Sequence, residues 1–220
     1  MKSGLDVLFS TRDRERVEQA VNEAEKQTAG EIIPYAVEAC DGYEEAMWRG
    51  GVSLGGITLL VFVTIHSFSN SWGTFEVMEV ALGSLAAMLA GAVSANFVKP
   101  VKRFFAGKEL MERRVAQRAA EAFLAEEVFS TRDRTGILIF LSLLEHKVIV
   151  LGDSGINAKV QKSDWEGIVK TIVGGMQSGK PAEGLIEAIR QCGDLLKKHG
   201  VAIQTDDKDE LINKLRTSNR

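Results

Sequence analysis

Three carboxylates, Glu31, Asp133 and Asp153, are the residues of this chain whose type and placement could do chemistry. Each stands at the edge of a segment that reads as a β-strand. If the first two strands run parallel and the third returns antiparallel, all three carboxylates come to one end of the sheet. Carboxylate oxygens are the natural ligands of hard divalent cations, so the chemistry would be Ca²⁺ or Mg²⁺ binding, with backbone carbonyls around Gly152 and Gly155 completing the shell. A metal held with one open position could activate water against a phosphate ester. The competing reading is that Asp133 and Asp153 only hydrogen-bond their own turns, as Asp does in many tight turns.

Other catalytic patterns fail on inspection, and no catalytic or cofactor-binding residue is assigned. Gly174-Gly-Met-Gln-Ser-Gly179-Lys180-Pro181 has the glycines and lysine of a phosphate-binding loop. Pro181 stands where such a loop needs a hydroxyl for Mg²⁺, and the segment follows a helix where the loop must follow a strand. It reads instead as a helix stop at Gly179 and a helix start at Pro181. Cys40 and Cys192 lack CxxC spacing, and both read as reduced, half-buried thiols rather than a disulfide or zinc pair. His66, His146 and His199 are too scattered for a local metal pair.

The elements that would position the carboxylates are organised around Gly50–Val98. Two apolar segments of nineteen residues, Gly50–Phe68 and Val80–Val98, flank the polar turn Ser69–Glu79, and neither segment holds a Lys, Arg, Asp or Glu. At about 1.5 Å per residue each matches the roughly 30 Å hydrocarbon core of a bilayer. A buried pair in a soluble domain would carry a polar face, which Thr58, Thr64, Ser84 and Ser94 do not make. The segments read as a transmembrane hairpin. Gly83, Ala87, Gly91 and Ala95 recur every four residues, as do Gly51 and Gly55, giving small faces suited to close helix pairing within the chain. Arg49, Lys99, Lys102, Arg103 and Lys108 flank the hairpin while its turn holds only Glu76 and Glu79, with His66 nearby, so positive-inside logic puts both termini in the cytoplasm and the turn outside.

Around the hairpin, one modest domain is expected. Ser10-Thr-Arg-Asp13 has the form of a capping box, and Val17, Ala20, Val21 and Ala24 continue as one stripe, predicting a helix over 11–28. A strand follows over 31–39, in which Pro34 cannot donate to a ladder and argues for an edge or a bulge. The connection Cys40–Arg49 carries Trp48, which suits an interfacial belt. Pro100 should interrupt the chain, and a helix resumes through Met111, Val115, Ala119 and Ala122. Gly136–Leu144 is almost continuously apolar, as in a central strand covered on both faces, and Lys147–Leu151 is its hairpin partner across Glu145-His146. Ser163-Asp-Trp-Glu166 reads as a second capping box opening a helix to about Gly179, and Pro181 opens another that closes near Gly200. Residues 204–220 form a polar tail. The hexapeptide Phe-Ser-Thr-Arg-Asp-Arg occurs at 9–14 and 129–134, but one copy leads into a helix and the other into a strand, so it is no structural repeat.

The fold class is therefore α/β, a small mixed β-sheet sandwiched by helices and interrupted by a two-helix transmembrane hairpin. The domain falls in two parts, 1–49 and 99–203, around an insertion at 50–98. With 27 basic and 30 acidic residues, a net charge of −3 and no basic run interleaved with aromatics, nucleic acid is not expected as a partner. The N-terminus has no apolar core before its charged run, so no cleaved signal peptide is expected.

Thr28-Ala-Gly-Glu-Ile32, Thr135-Gly-Ile-Leu-Ile-Phe-Leu-Ser-Leu-Leu-Glu-His-Lys-Val148, Leu151-Gly-Asp-Ser-Gly-Ile156, Trp165 and Gly184-Leu-Ile-Glu-Ala-Ile189 together resemble the TPM domain, above all its bacterial membrane branch with two inserted transmembrane helices. The resemblance implies an α/β sandwich in a membrane context, and it places a groove at the end of the sheet marked by Glu31 and Asp153. It implies no single activity, since relatives are described as phosphatase-like, as photosystem-repair factors and as receptor accessory subunits. Pro34 departs from the β-branched strand usual in such domains. The expected role is a non-catalytic binding or assembly module at the cytoplasmic face of the bacterial inner membrane, with the lipid bilayer and another membrane protein as partners. The alternative is a divalent-cation-dependent phosphatase-like enzyme.

Overall fold

The structure, a computed structural model, describes residues 4–26, 28–68, 75–200 and 214–218. Its elements run α1 (Gly4–Leu8), α2 (Thr11–Glu25), β1 (Ile32–Val37), α3 (Glu44–Phe68), α4 (Val77–Phe97), α5 (Lys99–Ala106), α6 (Lys108–Ala125), β2 (Ile137–Ser142), β3 (Lys147–Gly152), α7 (Ser154–Asn157), α8 (Lys162–Gln177), α9 (Pro181–Lys198) and β4 (Arg216–Ser218). They form two compact units, one of residues 1–40 with 114–220 and the other of residues 41–113.

In the first unit a mixed sheet has the order β3-β2-β1-β4, with β1 parallel to both β2 and β4 and β2 antiparallel to β3. β2 is buried at every position, which is why its run is apolar without alternation. Ile32, Ala36, Ile137, Ile139 and Leu141 face a core shared with α2, α8 and α9. Ile33, Val37, Leu138 and Phe140 face the other way, onto Val115, Ala119 and Ala122 of α6. Helices thus cover both faces, as the patterning predicts. α2 starts where Ser10 and Asp13 exchange bonds, Asp13 N–H donating to Ser10 Oγ at 3.2 Å and Ser10 N–H to Asp13 Oδ2 at 3.2 Å. α8 and α9 meet backbone to backbone, since a Cβ on Gly175 would lie 2.6 Å from Gly184 Cα.

Pro34 sits in an inner strand rather than at the expected edge or bulge. Ile137 N–H donates to Glu31 C=O and Leu143 N–H to Val37 C=O, so the odd-numbered residues of β1 face β2. Pro34 therefore turns its nitrogen to the other side, where β4 pairs only with Tyr35–Val37. No ladder bond is lost. Four further differences follow from local chemistry. α2 ends at Glu25, capped by Lys26, short of residue 28. α8 is capped by Gln161 with Asp164 in the reciprocal role, two residues before the expected box at Ser163. The polar tail contains β4, where Arg216 pairs with Glu126. The short helices α1 and α7 were not expected.

The second unit is a helical hairpin. α3 and α4 are long and apolar enough to cross a membrane. α3 begins at Glu44, ahead of Gly50, so Trp48 lies on the helix rather than in a connection. α4 begins at Val77, with Glu76 as cap and Glu79 in its first turn, so the expected turn to Glu79 is shorter. Residues 69–74 of that turn lie outside the described residues. The small residues do pack within the chain. A Cβ on Gly91 would lie 2.4 Å from Gly50 O, and one on Gly50 would lie 2.6 Å from Ala95 Cβ. Thr58, Thr64 and Ser94 donate to carbonyls four residues back at 2.9, 2.7 and 2.8 Å, which satisfies their hydroxyls without a polar face.

Candidate functional site

The end of the sheet where β1 and β2 begin and β3 finishes does gather the expected main-chain segments. Ile137 N–H donates to Glu31 C=O at 2.8 Å, Asp153 N–H to Gly136 C=O at 2.8 Å, and Gly155 N–H to Arg134 C=O at 2.9 Å. Gly155 is required for this approach, because a Cβ there would lie 2.2 Å from Asp133 O. Gly136 is equally confined, since its Cβ would meet Val128 O at 2.1 Å. The loop from 131 to 135 is closed by Thr135 N–H donating to Thr131 Oγ1 at 3.0 Å, and Thr135 Oγ1 donates across to Ala29 C=O at 3.2 Å.

The side chains are less united than the backbone. Glu31 and Asp153 are buried, 7% and 5% exposed, while Asp133 is exposed. Asp153 is gripped by Arg134, whose Nε lies 2.7 Å from Oδ2 and whose Nη2 donates to Oδ1 at 3.1 Å. Oδ1 also accepts from Ser154 N–H at 2.6 Å, so Asp153 caps α7. Among the described residues no three His, Cys, Asp or Glu side chains form a group able to hold a metal ion. The trio Glu31, Asp133 and Asp153 is thus not brought together as a ligand set. Asp153 follows the competing reading for it, a turn and cap residue, with a guanidinium added. Arg134 itself adopts a left-handed backbone at φ +56° and lies 5.7 Å above the Phe129 ring. The Arg134 guanidinium thus neutralises a nearly buried carboxylate at this end of the sheet.

A second polar cluster went unread in the sequence. Glu145 is 2% exposed in the β2–β3 turn; its Oε1 accepts from Cys40 N–H at 2.8 Å, and its Oε2 accepts from the Ser142 hydroxyl. Cys40 Sγ in turn donates to Ser142 Oγ at 3.4 Å. The spacing Ser142-x-x-Glu145 across a predicted tight turn was the available signal. Cys40 is half-buried as expected, but Cys192 is fully buried, and burial pushes its thiol up to about 12, which removes it from nucleophilic chemistry.

Comparison with known proteins agrees with this architecture. The family model of the TPM domain matches residues 103–195. The NMR structure of BA42 protein from the psychrophilic bacterium Bizionia argentinensis is similar in fold, with a TM-score of 0.57, 18% sequence identity, and coverage of 96% of this chain and 95% of that one. No curated protein matches the chain. The loop at Arg134, strands β2 and β3 and the cap at Asp153 all lie inside the segment that the TPM-domain model matches.

Proposed function

We propose that this protein is a membrane-anchored TPM-domain module that binds or helps assemble another membrane protein at the cytoplasmic surface, without catalysis of its own. The observation that carries the anchoring is the exposure of the two apolar helices. Both are apolar along their length, yet almost none of that apolar surface is buried. A core helix of a soluble domain would bury such side chains, whereas Leu60, Leu85 and Leu89 all remain exposed. The distribution of Lys and Arg on either side of the spans supports cytoplasmic termini. The binding role is supported by what the polar corners do: Asp153 is held by Arg134 and Glu145 by the Cys40 amide and Ser142, which suits rigid scaffolding.

The second reading, a divalent-cation-dependent phosphatase, is supported by one observation, two buried carboxylates, Glu31 and Asp153, at the same end of the sheet. The two readings separate in one experiment. The parent and Asp153→Asn are melted with Ca²⁺ or Mg²⁺ and with chelator, and the same samples are assayed on a phosphate ester. An ion at a hundred times its dissociation constant adds about 2.7 kcal/mol, which a melting curve resolves. The module reading expects no hydrolysis in any sample. Cation-dependent hydrolysis that disappears in Asp153→Asn would replace it with the enzyme.

A further inference from the structure

The chain leaving α4 carries a charge pattern that anchoring alone does not require. α4 stops at Phe97, Val98 extends at φ −95° and ψ 103°, and Pro100 restarts the chain as α5 from the first turn, where its missing N–H costs nothing. At about 100° per residue, Lys99, Lys102 and Arg103 share one face of α5, while Pro100, Val101, Phe104 and Phe105 share the other. From Lys99 through Lys108 the chain has four basic residues and no acidic one.

α5 is pinned rather than trailing. It packs on both α3 and α4. Arg49 Nη1 donates to the carbonyls of Phe105 at 3.1 Å and Ala106 at 3.3 Å, closing the C-terminal end of α5. Lys102 Nζ donates to Gly42 C=O at 3.2 Å and to Asn96 Oδ1 at 3.5 Å, which fixes its position and leaves one of the three ammonium protons for a further acceptor. Phe104, in contrast, is 79% exposed, meeting Phe105 edge-on at 5.1 Å, and Trp48 of α3 is 62% exposed. Lys99 is exposed, and among the described residues it has no ion pair or hydrogen bond. Glu44 and Glu45 open the same hairpin unit in the first turn of α3, where the helix dipole favours acids, and among the described residues neither pairs with a base. Glu44 and Glu45 therefore do not neutralise Lys99.

We propose that α5 is a binding site for anionic phospholipid, in which Lys99, Lys102 and Arg103 take the headgroup phosphate and Phe104 enters the acyl boundary. The partner is a lipid because a cationic row and an exposed aromatic stand on opposite sides of one helix, two residues from the end of an apolar span, and only a lipid offers an anion and a hydrocarbon at that spacing. The proposal rests on the anchoring read above. Attraction of this kind weakens with salt, since exposed charges are screened over about 8 Å at physiological ionic strength.

The test uses the full chain purified in detergent, with phosphatidylglycerol or phosphatidylcholine added, read by thermal midpoint and by lipid retained in native mass spectrometry. Phosphatidylglycerol is expected to raise the midpoint and to be retained over phosphatidylcholine. Lys99→Gln with Arg103→Gln is expected to weaken that retention roughly thirtyfold, at about 1 kcal/mol per charge near a surface. Phe104→Ser is expected to lower retention of both lipids. Equal retention of the two lipids by the parent, or an unchanged preference in the double variant, overturns the proposal. An equal midpoint shift from inorganic phosphate alone also overturns it, by assigning the row to a soluble anion. Alkaline carbonate washing of membranes separates this from failure of the anchoring itself. Parent and double variant are both expected in the pellet, and release of the parent would sink the anchoring and the lipid site together.

Discussion

Ser10 and Asp13 hold the first long helix through a reciprocal pair, and their energetics can be read through pH. The Ser10 hydroxyl, donating to Asp13 Oδ2 at 2.7 Å, holds the Asp13 carboxyl below its ordinary value of 3.8, with Arg16 adding a smaller push in the same direction. A depressed folded value means that the contribution is complete above the ordinary value and is lost as pH falls through the lowered one. Ser10→Ala should therefore cost about 1 kcal/mol at neutral pH. In denaturant titrations the gap between variant and parent should narrow below pH 3.8. A gap that stays constant into acid would remove Asp13 from the cap. This pair was legible because a capping box is local, four consecutive residues. The site was legible only in part. The sheet end that collects Glu31 and Asp153 followed from strand direction, but Arg134, which occupies Asp153, stands 19 residues before it. Only the folded β2–β3 hairpin brings the two together, and Asp133, beside Arg134, stays exposed to solvent.

At the level of elements, the hairpin makes the sharpest demand. Gly91 faces Gly50 with no room for a Cβ, whereas Leu82 is 58% exposed. Gly91→Leu should lower stability in detergent by about 2 kcal/mol through overpacking. Leu82→Ala should stay within about 0.5 kcal/mol of the parent. Equal melting of the two variants would show that the small-residue seam does not hold the helices. Composition alone located α3 and α4, because nineteen consecutive uncharged residues are too long for a core strand and lack the polar face of a surface helix. The elements that composition missed are short or polar. Arg216-Thr-Ser218 has no apolar alternation and becomes a strand only because β1 offers it an open side. α8 is capped at Gln161 because Asp164 serves as its reciprocal partner, and Ser163-x-x-Glu166 presents a matching pattern two residues later that the fold does not use.

For the whole molecule, the proposed orientation, with both termini cytoplasmic, can be probed. In a Cys40→Ser background, with Cys192 sealed in the core, a cysteine at exposed Lys170 should escape a membrane-impermeant thiol reagent applied to intact cells, while one at Glu76 should react. The reverse pattern would invert the protein. The order of the sheet carries one more consequence, in time rather than space. β1 is completed at Val37, yet its neighbours are β2, which starts at Ile137, and β4, which starts at Arg216. At about 5–20 residues per second, roughly 5–20 s of synthesis separate β1 from the first of them. During that interval both apolar helices emerge while Ile32, Ile33 and Val37 have no sheet to enter. The strand made first is the one enclosed last, so the nascent chain must keep β1 out of other pairings until the hairpin has been made and the α/β unit can close around it.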